Sequence, residues 1–286
     1  LDLAETKNPV IWWHVDDSQV NVKQWLSFED RATREPNEPY LKLCLKKAQR
    51  KWSNHFTIVP VIGRAAALRH LTEVGAEIPP GAERCPPALW MAWIRSATLA
   101  YRGGLWLDGS VLPFGSGSDL YKRVTKYDVL TFGTDADEEL STDAEFSDRS
   151  VPMGGRSAGW SAVPGHPMWM GLTRDIGAVI AAGDPSWSSF EARRALRSLW
   201  DKHCSGITRI DRKAEVSRGT YGRRLNYEDL FEKTEWVGST EHGLWVPLPD
   251  GRDKLERASP FLWFTRLSEE QIRESEFLWS KFASQS

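Results

Sequence analysis

The sequence predicts an α/β fold: a mostly parallel sheet flanked by helices, with a C-terminal extension of mixed structure. Three observations predict it. Strand-length apolar runs alternate with helical patterns from Val10 to Leu107, in the order strand, helix, strand, helix, strand, the signature of parallel strands joined by right-handed crossovers. The first and last of these runs, Val10-Ile-Trp-Trp-His-Val15 and Leu105-Trp-Leu107, read as buried strands. A chain of 286 residues, 41% of them hydrophobic, is ample for a substantial core.

Each element has its own reason. Val10 to Val15 ends as a strand at Asp16-Asp17. Pro39 to Trp52 is an amphipathic helix opened by proline, with lysines on the outer face. Phe56 to Ile62 is the next strand, closed by Gly63-Arg64, and Pro60 assigns it an edge or a bulge. Ala65 to Val74 is a short helix, followed by the turn cluster Ile78-Pro-Pro-Gly. Ala88 to Tyr101 is an almost wholly apolar helix with one charge, Arg95, and it stops at Gly103-Gly104. Leu120 to Thr125 is helical, Asp128 to Phe132 a strand, and the polar residues 133–159 a long loop. Trp160 to Val163 is a short strand and Pro167 to Ala182 a helix. Ser188 and Glu191 form a capping box for a helix reaching His203. Residues 204–260 look irregular, with strands near Glu235 to Val237 and Gly243 to Val246. Ser268 and Gln271 cap a last helix over 269–283. The whole reads as a single domain, 1–286, with a core over 9–180 and an extension over 181–286.

Composition narrows the function. A net charge of −2 gives no electrostatic ground for binding nucleic acid. No apolar run approaches the ~20 residues of a spanning helix, and the first residues lack the basic and apolar regions of a signal peptide. Three cysteines, Cys44, Cys85 and Cys204, stand far apart without metal-binding spacing, which reads as a reducing cytoplasmic setting. Most of the 15 tryptophans belong to the core. Trp13 and Trp160, beside other candidate site features, are the two assigned to stacking on a base or sugar.

The stretch Arg95 to Ser110 carries the chemistry. The apolar strand delivers Asp108 and Ser110 at its carboxyl end, where open α/β sheets bind ligands. An arginine, a Gly-Gly pair eight residues on, an aliphatic and aromatic strand, then Asp-x-Ser resembles the sugar-binding region of DXD-type glycosyltransferases, particularly those of capsular polysaccharide synthesis. Arg95, Gly103, Gly104, Trp106, Asp108 and Ser110 carry the resemblance. The strand at Val10 to Val15 and the Pro-Gly-His-Pro element at Pro164 to Pro167 extend it, more weakly, over residues 9–180. Two positions depart from the pattern: Ala92, where such enzymes usually have an acid, and Ser110, where the second acid of the motif stands.

The resemblance implies a GT-A-type, Rossmann-like sheet and transfer of a sugar from a nucleotide-diphosphate sugar to a glycan acceptor. It implies a divalent cation, Mn²⁺ or Mg²⁺, bound across the diphosphate by Asp108, with Ser110 and His242 as further ligands. Trp13, His14 and Asp16 would receive base and ribose, Arg64 would reach the nucleotide, and Arg95 with Gly103 and Gly104 would place the sugar. Asp137 and Arg156, in the long polar loop, are the candidate catalytic and acceptor-side groups beside Asp108. An unpaired buried guanidinium costs several kcal/mol, so Arg95 needs a partner; Asp108, another acid and the sugar hydroxyls all qualify.

The residues also leave bland readings open. Asp-Gly is a common turn dipeptide, so Asp108 also reads as a turn cap. His166 reads as a helix-start residue. A binding protein that has lost catalysis is the main alternative function, motivated by Ala92 and Ser110. Gly155-Arg-Ser-Ala-Gly159 matches the nucleophile elbow of serine hydrolases at Ser157, but the buried strand such an elbow needs does not precede it. Trp106-Leu-Asp-Gly-Ser110 echoes a haloacid-dehalogenase strand in which Trp106 stands where the nucleophilic acid belongs.

Overall fold

A computed structural model describes residues 8–15, 38–132, 158–183, 189–204, 209–211, 226–235, 243–246 and 260–284. In chain order the elements are β1 (Val10–Val15), α1 (Pro39–Trp52), β2 (Thr57–Ile62), α2 (Gly63–Thr72), α3 (Pro87–Arg102), β3 (Gly104–Asp108), β4 (Leu112–Pro113), α4 (Gly117–Val124) and β5 (Val129–Phe132). There follow β6 (Ala158–Ser161), α5 (Pro167–Ala182), α6 (Ser189–Cys204), β7 (Arg209–Asp211), α7 (Tyr227–Phe231), β8 (Trp245–Val246), α8 (Glu269–Glu274) and α9 (Leu278–Ser284).

Among the described residues the central sheet has the order β2-β1-β3-β6-β5-β7. β1 pairs in parallel with β2 and β3, β6 runs antiparallel to both β3 and β5, and β5 is parallel to β7. Five strands therefore point one way and β6 the other, a mixed α/β sheet that is mostly parallel. Pro60 lies on β2 at the sheet edge and is exposed, where its missing N–H leaves no ladder bond unmade. A small antiparallel pair, β4 with β8, joins Leu112 to Val246 and Pro113 to Trp245.

The two-residue period of the strands divides the core into two layers. Ile11, Trp13, Leu105 and Leu107 face α1, α4 and an aromatic C-terminal group that includes Phe231, Phe264 and Trp279. Trp12 and Trp106 face α2, α3, α5 and α6. A sheet covered on both faces explains why its strands are apolar at successive positions.

α3 is bounded as its sequence dictates. Pro87 opens it, and Gly103 and Gly104 follow at φ +66° and +83°. A Cβ on Gly104 would stand 2.6 Å from the Val10 carbonyl oxygen, and the Trp12 indole donates to the Gly103 carbonyl at 2.7 Å. The glycine pair thus lets β3 enter the sheet tight against β1. His166 caps α5 by accepting from the Met168 N–H through Nδ1 at 3.3 Å.

Several expectations need correction. Lys47 is not on the outer face of α1: it is 5% exposed, and its ammonium donates to the carbonyls of Phe282 and Ala283 at the end of α9. The strand assigned to Trp160–Val163 is Ala158–Ser161, so β6 takes the last two residues given to the polar loop. The last helix is two. Ser268 and Gln271 form the expected capping box, but α8 stops at Glu274 and α9 starts at Leu278. There the Leu278 N–H donates instead to the Lys233 carbonyl at 2.7 Å. Ser188 and the strand residues Trp236 and Val237 lie outside the described residues.

Candidate functional site

Asp108 is the last residue of β3, half-buried, and the register partner of His14 on β1. Its Oδ1 accepts the Ser110 N–H at 2.8 Å and the Ser110 hydroxyl at 2.7 Å. The Gly109 N–H donates to the His14 carbonyl at 2.6 Å, so one bond locks the ends of the two strands together. A Cβ on Gly109 would lie 2.5 Å from a Val15 methyl, 2.8 Å from the His14 carbonyl oxygen and 2.9 Å from Trp13 Nε1. Only glycine permits this approach, a requirement the sequence signals only as Asp-Gly.

The carboxylate is thereby fixed through one oxygen. Among the described residues Oδ2 has no protein partner. His14 is 3% exposed and its ring stacks on Trp106 at 4.7 Å, on the α3 side of the sheet. Cys44, a group the sequence did not single out, lies within electrostatic reach of Asp108. Burial drives its thiol far above the usual range and the Asp108 carboxylate adds to the rise, so it stays protonated and is no nucleophile.

Arg95 lies eight residues before Gly103, ~12 Å back along α3. Asp108 lies four residues past Gly104, ~13 Å along β3. Arg95 is 8% exposed and engaged, but Asp108 is not its partner. The same lengths put Gly103 and Gly104 at the opposite end of β3 from Asp108, so the pair cannot touch a sugar held there. Its role is the strand entry described above.

Other assigned residues are placed elsewhere. Trp13 is fully buried, 6.4 Å from the Trp52 ring, and Trp160 is 3% exposed with its indole donating to the Tyr127 carbonyl at 2.9 Å. Neither presents a ring face for stacking. Arg64 donates to the Ala82 carbonyl and lies over the Trp90 ring at 4.1 Å, away from Asp108. Ser110 holds Asp108 through its hydroxyl. Asp16, Asp137, Arg156, Ser157 and His242 lie outside the described residues. Among those described, no three His, Cys, Asp or Glu side chains are grouped to hold a metal ion, and no helix is long and apolar enough to cross a membrane.

Comparison with protein-family models, with curated proteins and with solved structures gave no match.

Proposed function

We propose that the chain is a glycosyltransferase that takes its sugar from a nucleotide-diphosphate donor at the carboxyl end of β3. The observation that carries the reading is Asp108. It leaves a central, mostly parallel sheet at the end where such sheets bind ligands, with one oxygen held and the other available. The GT-A assignment, the glycan acceptor and the acceptor-side roles of Asp137 and Arg156 rest on the sequence resemblance.

The donor set fits one kind of metal. A single carboxylate does not make a permanent metal centre, but it suits Mg²⁺ or Mn²⁺ arriving with a diphosphate, whose oxygens and retained waters complete the coordination. Bound there, the cation would neutralise charge on the departing nucleotide diphosphate. The protein's own part is positioning. Ser110 fixes the rotation of the Asp108 carboxylate before substrate arrives, so little reorganisation is left for the reaction. The Gly109–His14 bond fixes the strand ends beneath it.

A second reading, a nucleotide- or sugar-binding protein without catalysis, is favoured by one observation. Both Ser110 donors go to Oδ1, as they do when an aspartate merely caps a turn.

A thermal-shift panel of UDP, GDP, CMP and their sugar conjugates, with and without Mn²⁺, separates the two. Ligand at about 100 times its Kd stabilises the fold by ~2.7 kcal/mol. The transferase reading expects a Mn²⁺-dependent shift that Asp108→Asn abolishes while the variant, which keeps the Ser110 bonds, melts like wild type. A shift that ignores both Mn²⁺ and the substitution supports the binding protein. No shift with any nucleotide or sugar conjugate overturns the transferase reading and the nucleotide-binding one alike.

A further inference from the structure

A cleft of about 610 Å³ lies between α3, α5 and the Glu77–Pro80 turn, within the usual range of ligand pockets. It shares no residue with the Asp108 site. The two helices run antiparallel along it. The Gly165 N–H donates to the Ala100 carbonyl at 2.6 Å, which sets Tyr101 beside the start of α5, and Trp93 lies opposite Gly177. Trp93 and Tyr101 are eight residues apart on α3, ~12 Å along its axis. Pro79 stands beside Trp93 and Gly177, and Pro167 and Met170 border the Tyr101 end. Most of the lining is therefore apolar or aromatic.

Its charges balance. Glu77 and Arg174 are the acid and the base among the described lining residues, and Arg174 Nε already donates to Asp175 at 2.8 Å. The Thr173 hydroxyl is sealed from solvent. One polar atom remains. The Trp93 side chain is 1% exposed, and its indole Nε1–H has no acceptor among the described residues. Unlike the Thr173 hydroxyl, Nε1 is not closed off from solvent. An indole nitrogen only donates, so what it lacks is an acceptor.

Gly177 keeps that donor open. A Cβ there would stand 3.5 Å from Trp93 Nε1 and 3.8 Å from Pro79 Cβ, both ordinary contacts. Packing therefore admits alanine, which favours a helix over glycine. Gly171 is the contrast: a Cβ there would come within 2.9 Å of His203 Nδ1, so packing itself requires that glycine. At position 177 the missing methyl leaves the space in front of Nε1 that an oxygen would occupy.

We infer that this cleft binds a neutral, mostly hydrocarbon molecule carrying one acceptor oxygen, the oxygen at Trp93 Nε1 beside Gly177 and the hydrocarbon running toward Tyr101 and Met170. An apolar lining, balanced charge and a single unmet donor select that chemistry. A carboxylate finds no free cation there, and an ammonium cannot accept the indole proton. The inference does not depend on the Asp108 reading.

The test uses the full chain labelled with ¹⁵N in its indoles and ¹³C at its methionine methyls. The Trp93 indole, one of 15, is assigned by through-bond correlation. Titration with 2-octanone should move that N–H downfield, as a new hydrogen bond requires. It should also move the Met170 methyl, 36% exposed in the lining, and leave the Met168 methyl, buried at 4%, in place. Each methylene removed on going to 2-hexanone should weaken Kd about fourfold. Octanoate and octyltrimethylammonium should each bind about tenfold or more weakly than 2-octanone. Gly177→Ala should melt no lower than wild type and weaken 2-octanone about tenfold, because its methyl covers the donor. Ala178→Phe, at an exposed lining position, is the second blocking variant if that fold fails. A stationary Trp93 indole or Met170 methyl, a Kd indifferent to chain length, a charged analogue that binds as tightly as 2-octanone, or a folded blocking variant that keeps the wild-type Kd overturns the inference.

Discussion

Replacing Gly104 by alanine tests whether the glycine pair after α3 serves the fold or the donor. Gly104 has φ +83°, a conformation that costs an L-residue about 1–2 kcal/mol. Its new Cβ would also stand 2.6 Å from the Val10 carbonyl oxygen and 3.1 Å from Trp12 Nε1. Backbone cannot swing aside as a side chain does, so β1 and β3 must part, at the ~1–3 kcal/mol typical of overpacking. The expected loss is about 2–5 kcal/mol, a drop in melting temperature of roughly 3–8 °C for a chain of this size. Gly75→Ala is the control. Its φ is +73° with nothing within 4 Å of the added Cβ, so it carries the dihedral cost alone, about 1–2 kcal/mol. Urea denaturation of both variants, followed by nucleotide titration of the folded protein, reads the two effects separately. Equal losses for Gly104→Ala and Gly75→Ala would refute the close approach to Val10. Full stability with nucleotide binding abolished would refute the placement of the glycine pair away from the Asp108 site.

Two further predictions concern charge. Lys47 has a pKa lowered by burial from 10.5 to about 8. Its protonated form is therefore disfavoured in the folded state, and its contribution to stability should rise as pH climbs from about 8 to 10.5, by up to about 3 kcal/mol. Lys47→Met should be more stable than wild type at pH 7 and lack that rise; matched pH profiles from urea midpoints would dismiss the idea. Asp175 is the opposite case. Hydrogen bonds from Lys202 and Arg174 hold its carboxyl well below the ordinary range. Its stabilisation is present above the unfolded value near 3.8 and is lost as pH falls further. Asp175→Asn should be less stable than wild type at pH 7, and the gap should close below pH 4 in acid denaturation; a gap unchanged at low pH would show that the carboxylate's charge contributes nothing.

Local patterns in the chain by itself determined the elements and the class of the sheet. The Gly103-Gly104 break, the proline starts of α1, α3 and α5, and the Ser268 capping box act within a few residues, so each is legible where it stands. Tertiary structure decided the rest. The break between α8 and α9 follows a bond from Leu278 to Lys233, far away in the chain. Lys47 is buried because α9 lays its carbonyl end over it. Trp13 and Trp160 face the core because the sheet is covered on both sides, which period alone cannot distinguish from a strand ending in solvent. For the candidate site, sequence placed Asp108 and Ser110 at a strand end, since a turn dipeptide and an apolar run are both local. Which partners they take was outside its reach. The bond from Gly109 to His14 and the pairing of Asp108 with His14 join segments that only the folded sheet brings together. The separation of Gly104 from Asp108 depends on β3 being extended at ~3.3 Å per residue rather than coiled.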